Sequence, residues 1–456
     1  MILGKGFENF VKESPLSVML RGLLENLFAP KKLDEWYERT AMKQYTRELL
    51  FSSIFELTRE VVFCVYPSVN SAYQSRKKGQ MNVSITSLYN KLNGMETTTA
   101  SELARYSAQQ TAPLIRELGE AHSDWIADLT IKILDGNCLE ATEHRLKTLR
   151  KVASAPLPGK SLVIFNPIAG IVTDVFPCED GHAQERALLK EVLATIRPDD
   201  LWMADRNFCV NSFLWEIADK QGFFLIRQHQ QIPLQEVNSF KSAGRIESGK
   251  VFEQSVRIHH EQGRSSKIRR VKLVLDQPTR DGETEIFLLS NLSKQQASAK
   301  KIAKLYAKRW SIETAFQQLE KNLHSEINTL AYPRAALFGF CVALVAYNTM
   351  SVILAALRSA HGKKKIQTQV SSFYLSLEFK GVYQGMMIAL PPAKWKGFQR
   401  FTLLQLVSFL KDMATHVDLL KLKKHPRGLK QVSEKRRHDK RHPHVATSRL
   451  LNPQPQ

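Results

Sequence analysis

"LTIKILDGN" spans residues 129–137. Its apolar, β-branched run predicts a buried strand, and the Asp135–Gly136 pair predicts that the strand ends there in a turn. The residues that follow keep the same texture. PLPGKSLVIFNP (156–167) predicts a second strand and AGIVTDVFPCED (169–180) a third, the hairpin marked by the Asn166–Pro167 turn. HAQERALLKEVLATI (182–196) predicts a helix, and LWMADRNF (201–208) a short buried strand ending at Asp205. CVNSFLWEIADKQG (209–222) predicts a further helix and FFLIRQH (223–229) a further strand. Three strands, helix, strand, helix, strand is the order of a mixed α/β sheet.

That order matches a ribonuclease H-like core, and the flanking sequence divides around it. Residues 232–292 alternate and carry turn signals, so they read as an inserted β-rich subdomain of about five strands. Residues 293–420 return to helical spacing and complete the core, and 421–456 form a basic tail. Residues 1–125 read as an α-helical N-terminal domain, followed by the first part of the core over 126–231. Within the helical domain, SRKKGQMNVSITSLYNKLNG (75–94) places a basic run before Ser84, a candidate N-cap. A DNA-reading helix and a structural helix pair are both open there. Residues 335–357 run without a charge between Arg334 and Arg358. Their length suits a membrane span, but Asn348, Thr349 and Ser351 and the lack of a second span favour a helix buried in the core.

Charge points to the partner. The chain of 456 residues is long enough for a sizeable core, and its net charge of +21 is costly in self-repulsion unless a polyanion is met. Residues 1–125 carry a net +1, residues 421–456 carry +9 and the remainder +11, so the polyanion meets the middle and the tail. Nucleic acid is the leading candidate, with an anionic membrane surface second. Five scattered cysteines without a CxxC pair fit neither a disulfide framework nor a zinc ribbon, and suit a reducing, cytoplasmic compartment. The first fifteen residues lack the long apolar segment of a secretory signal.

The chemistry gathers on LYAKRWSIETAFQQLEKNL (305–323), which predicts one amphipathic helix. Tyr306, Arg309 and Glu313 stand at i, i+3 and i+7 and so share a face. Asp135 and Asp205 each close a buried strand, where a lone carboxylate is costly. Three carboxylates converging from separate elements make a hard-oxygen site for Mg²⁺, with Mn²⁺ as its substitute. Two such ions could activate a water or a 3′-hydroxyl and stabilise a leaving oxygen. Arg309 then supplies a bidentate clamp on phosphate, and Tyr306 a hydrogen bond or stack beside it. Singly, each residue has a plainer reading: a turn Asp, a Glu313–Arg309 pair, a core Tyr306. Trp310 lies off the Glu313 face and reads as core.

YAKRWSIETAF (306–316) resembles the signature of insertion-sequence DDE transposases of the group with a Tyr-Arg-Glu-Lys motif, the insertion-sequence-four family. ILDGNCLEATEHRLKTLR (133–150) and LWMADRNF resemble the segments around that family's two catalytic aspartates. The resemblance extends weakly to 84–94, to HPRGLK and to HVATSRLL, and so spans nearly the whole chain. It implies a ribonuclease H-like core with a β-strand insertion between the second Asp and the Glu. It assigns Asp135, Asp205 and Glu313 to the catalytic and metal-binding triad, and Tyr306 and Arg309 to DNA phosphate. The family's Lys falls where this chain has Glu320. Lys321 is one step late and about 80° off the Glu313 face, and is carried as a DNA contact only by proximity.

The function this implies is a homodimeric, bacterial transposase that binds terminal inverted repeats of double-stranded DNA, cuts with Mg²⁺ and transfers the strand to target DNA, associated with the nucleoid and not a membrane. Three rivals stay open. They are a nuclease of the same fold without strand transfer, a decayed transposase that only binds DNA, and a membrane protein built around 335–357.

Overall fold

The computed structural model of the chain describes residues 5–43, 48–76, 81–119, 125–152, 154–260, 262–279, 282–425 and 444–452. Most of the basic tail, including the Pro426–Lys430 part of HPRGLK, and residues 77–80 of the basic run before Ser84 lie outside the described residues.

Seven helices come first: α1 (Lys5–Glu13), α2 (Pro15–Leu27), α3 (Pro30–Thr40), α4 (Phe51–Val62), α5 (Val69–Arg76), α6 (Ile85–Asn93) and α7 (Thr97–Glu117). Pro15 and Pro30 open their helices at the position where a missing N–H costs nothing. Ser84 caps α6 by accepting the Ser87 N–H at 3.1 Å.

The sheet begins with β1 (Thr130–Cys138), β2 (Pro156–Leu157), β3 (Lys160–Asn166) and β4 (Ile171–Cys178). After α8 (Leu189–Leu193) come β5 (Asp200–Ala204), α9 (Asn211–Asp219) and β6 (Phe223–Arg227). Strands β7 (Gln235–Glu236), β8 (Lys241–Ile246), β9 (Gly249–His259), β10 (Ser265–Leu275) and β11 (Glu285–Ser290) follow. The order across the sheet is β4-β3-β1-β5-β6-β11-β10-β9-β7, with β8 added on β9. β1, β5 and β6 are parallel, and every other pair in this sheet is antiparallel, so the molecule is mixed α/β.

Between residues 129 and 292 the structure departs from the sequence expectation in three places. Asp135–Gly136 makes no turn: β1 runs on to Cys138, because Gly136 pairs with Leu162 of β3. Over 182–196 only a 3₁₀ turn (Glu185–Leu188) and the five-residue α8 form. Finally, the strands of 232–292 extend the core sheet itself, because β11 pairs with β6 through Leu288↔Arg227, Leu289↔Ile226 and Ser290↔Leu225.

The remaining helices are α10 (Ala299–Ala307), α11 (Ser311–Asn322), α12 (Pro333–His361), α13 (Lys363–Gln369), α14 (Ser372–Ala389) and α15 (Leu403–Thr415). A short β12 (Val445–Ala446) beside β2 and α16 (Thr447–Leu451) complete the described chain. The helices before residue 120 and those after residue 298 bury one apolar cluster, from Phe7 to Leu422, against one face of the sheet. A smaller cluster on the other face holds Leu134, Trp202, Phe213 and Phe224 under α8 and α9. Strand periodicity sets the division: Ile131, Ile133, Leu201 and Met203 face the large cluster, while Leu134, Trp202 and Ala204 face the small one.

Helix α12 contains the apolar run 335–357 and lies inside the fold, 94% of its most apolar window buried. Its Asn348 completes the sheet edge. The amide accepts the Val172 N–H and donates to the Val172 carbonyl, both at 2.8 Å, and donates to Ser107 at 2.9 Å. A buried amide with its partners satisfied replaces the missing neighbour strand of β4.

Candidate active site

The β1–β5 ladder ends at Leu134↔Ala204, and Asp135 and Asp205 are the next residue on each strand. Alternation puts both on the face of the large core, on neighbouring parallel strands about 4.8 Å apart. Asp205 also works locally, accepting the Asn207 N–H at 2.8 Å to start the 3₁₀ turn Arg206–Phe208. Asp205 thus has the turn role its sequence position suggested, while its side chain also lines a cavity.

Gly136 points to the opposite face, where the Glu185 side chain fills the space of the absent Cβ. An added Cβ would lie 2.0 Å from Glu185 Oε1. Glu185 in turn accepts from the Asn207 side chain at 2.6 Å. A small residue beside Asp135 thus lets a carboxylate brace the turn that carries Asp205.

The stretch 305–323 is not one helix. A 3₁₀ turn over Lys308–Trp310 separates α10 from α11. The tighter rotation turns Arg309 inward, to 7% exposure, and swings Trp310 outward. Trp310, expected in the core, is 47% exposed at the cavity rim. Tyr306 is buried, with its ring 5.9 Å from the Arg309 guanidinium carbon, and the two share a side-chain hydrogen bond. Burial pushes the Tyr306 hydroxyl up to about 12, which keeps it a neutral donor.

Arg309 joins the site. One guanidinium nitrogen donates to Asp135 Oδ2 at 3.1 Å and the other to Glu313 Oε1 at 2.9 Å. Burial pushes Asp135 up to about 6, Arg309 opposes the rise, and the neighbouring Asp205 adds to it. Burial works against the Arg309 charge, but Tyr306, Asp135 and Glu313 around it hold its pKa above the ordinary value. Asp205, Tyr306, Arg309, Trp310 and Glu313 line one cavity of about 680 Å³, with Asp135 behind Arg309.

Among the described residues no three His, Cys, Asp or Glu side chains stand together at metal-binding range, because the guanidinium spreads Asp135 from Glu313. The donors themselves are carboxylate oxygens, the hard type that Mg²⁺ takes. Carboxylate oxygens from two elements already converge on one internal positive charge, and a third carboxylate opens onto the same cavity.

Two expected features sit apart. Lys321 is exposed near the C-terminal end of α11. Glu320 lies near Glu326, whose side chain accepts the Glu140 N–H next to the end of β1. Arg206 and Arg227, which also line the cavity, escaped sequence reasoning. Their signal was a charged residue at the end of each of two apolar strands, immediately after Asp205 in one case.

Residues 128–349 match the family model described as the transposase DDE domain. The matched span runs from just before β1 into α12 and contains every side chain placed in the cavity above. The match supports a DDE transposase as the class of protein defined by this chain. No curated protein matches the chain in sequence.

Proposed function

We propose that the protein is an insertion-sequence transposase of the Tyr-Arg-Glu signature group, built on a ribonuclease H-like core, which cuts transposon ends in DNA and joins them to a target. The observation that carries this reading is that Asp205, Tyr306, Arg309 and Glu313 line one cavity inside the matched domain, with Asp135 joined to it through Arg309. DDE transposases are in general dependent on a divalent metal. Here Asp135, Asp205 and Glu313 would hold Mg²⁺ or Mn²⁺, which when bound supplies charge stabilisation to the attacking and leaving oxygens.

The chain's own side chains do the rest. Arg309 has two donors in a planar fork, the geometry that grips two oxygens of a phosphodiester. The Tyr306 oxygen accepts from Arg309 and holds it in place, which leaves the neutral O–H free to donate to phosphate. The parallel β1–β5 pair sets the register of the two aspartates, and the turn braced by Glu185 holds Asp205 just beyond the end of β5. Surplus positive charge draws in the DNA backbone, and two copies would pair the two ends of an element. Lys321 is kept as a peripheral DNA contact.

A cleavage and joining assay on DNA carrying the element's own ends, with Mg²⁺ or Mn²⁺, compares the protein with Glu313→Gln. Metal-dependent cutting and joining, abolished in the variant, is expected. Cutting without joining would select a nuclease, and binding without cutting a decayed transposase.

A further inference from the structure

Beside the catalytic cavity lies a second one of about 760 Å³, lined in part by the inserted strands. The two share Arg206, Arg227 and Glu283. At this junction one carboxylate oxygen serves two cations: Glu283 Oε1 lies 2.5 Å from Arg227 and 3.1 Å from Arg206. Arg227 ends β6 on the same sheet face as the two aspartates, and Arg206 follows Asp205 directly. Further along the second cavity, Arg270 stacks on Phe287 with its guanidinium carbon 4.7 Å from the ring centre.

We propose that the Glu283 carboxylate stands in for a DNA backbone phosphate, occupying an Arg206–Arg227 fork that binds DNA leaving the catalytic cavity. The inference rests on the transposase reading above and adds a phosphate site to it.

The geometry explains the choice. Two guanidinium groups converging on one oxygen leave a surplus positive charge. Among the described residues both arginine contacts fall on the same oxygen, Oε1. A phosphodiester carries the same charge but offers two non-bridging oxygens in a tetrahedral spread, one for each arginine. Glu283 is tied to Thr279. Its N–H donates to Thr279 Oγ1 at 3.1 Å and its carbonyl accepts the Thr279 N–H at 2.8 Å. Gly282 before it takes a positive φ of 83°. With these backbone bonds kept and the side chain 29% exposed, a rotamer change alone releases both arginines. The Arg227 bond holds the Glu283 carboxyl below the ordinary range, so the stand-in stays charged.

The test is equilibrium binding of the full chain to a labelled duplex of arbitrary sequence, without metal, over a salt series. Glu283→Gln is expected to bind about 3- to 10-fold tighter, since two partly exposed ion pairs no longer compete with phosphate. Arg206→Ala is expected to bind more weakly and to lower the salt slope by about 1. In the Arg206→Ala/Arg227→Ala background the Glu283→Gln gain is expected to vanish. Glu247→Gln removes the same charge from a side chain 95% exposed that pairs with Lys304, and should change affinity less than about 2-fold. A Glu283→Gln gain equal to that of Glu247→Gln, or one that persists without the arginines, overturns the stand-in while leaving the transposase reading intact. Absence of DNA binding by the unmodified chain at any salt overturns both.

Discussion

Asp135→Asn should inactivate the protein and stabilise it. Asp135 is 20% exposed at its side chain, and burial lifts its pKa from 3.8 to about 6. For a carboxyl raised on folding, the folded state holds its proton after the unfolded state has lost it. Stability therefore falls as pH rises through that window, and the deficit is complete above the folded value. Two pH units correspond to about 3 kcal/mol. Asparagine removes the deficit, and the opposing pull of Arg309 is already contained in the shift. The net expected gain is about 3 kcal/mol at pH 8, shrinking to about zero near pH 4. Urea unfolding of both proteins at a series of pH values, in metal-free buffer, measures it. A gap that does not change with pH, or a variant less stable at pH 8, would refute burial as the source of the Asp135 strain.

Two further outcomes follow from the packing. Gly136→Ala should keep the fold but cut activity by at least about tenfold, because its Cβ displaces Glu185 and frees the Asn207 side chain that Glu185 braces beside Asp205. A similar loss in Glu185→Ala, with no further loss in Gly136→Ala/Glu185→Ala, would trace the effect to that brace; full activity in Glu185→Ala would refute it. Asn348→Leu should cost about 2–4 kcal/mol in chemical denaturation, since the Val172 N–H and carbonyl lose their buried partners. A change below about 0.5 kcal/mol would mean that water reaches this edge.

How far the residues announced the structure depended on the range over which each signal acts. Strands β1, β3, β4, β5 and β6 were legible because their apolar runs are local and their burial is two-sided. Asp135 and Asp205 could be picked out as charges against apolar runs. The turn assigned to Asp135–Gly136 was wrong because a Gly in a strand can mark close approach of another side chain, here Glu185, which lies 49 residues away. The continuous helix over 305–323 failed for a related reason. Nothing in KRW itself forbids an α-helix. The ion pairs of Arg309 to Asp135 and Glu313 accompany the 3₁₀ turn, and the first of these partners is distant in the chain. Arg227 and Glu283 were invisible as a pair because their meeting depends on β11 joining β6.

The join between β6 and β11 has a mechanical side. Three residue pairs hold it, against eleven between β9 and β10, and the Asn291 side chain adds bonds to the Phe224 N–H and the Gly222 carbonyl. Apart from the two-pair ladder of β7 at the sheet edge, this is the shortest ladder in the ten-stranded sheet, and a sheet stressed from outside bends where its interior ladder is shortest. The crease lies alongside the cavity, with the paired aspartates on one panel and Glu283 just ahead of β11 on the other. Flexing along it would alter the distance between the two panels while leaving the spacing of Asp135 and Asp205 untouched.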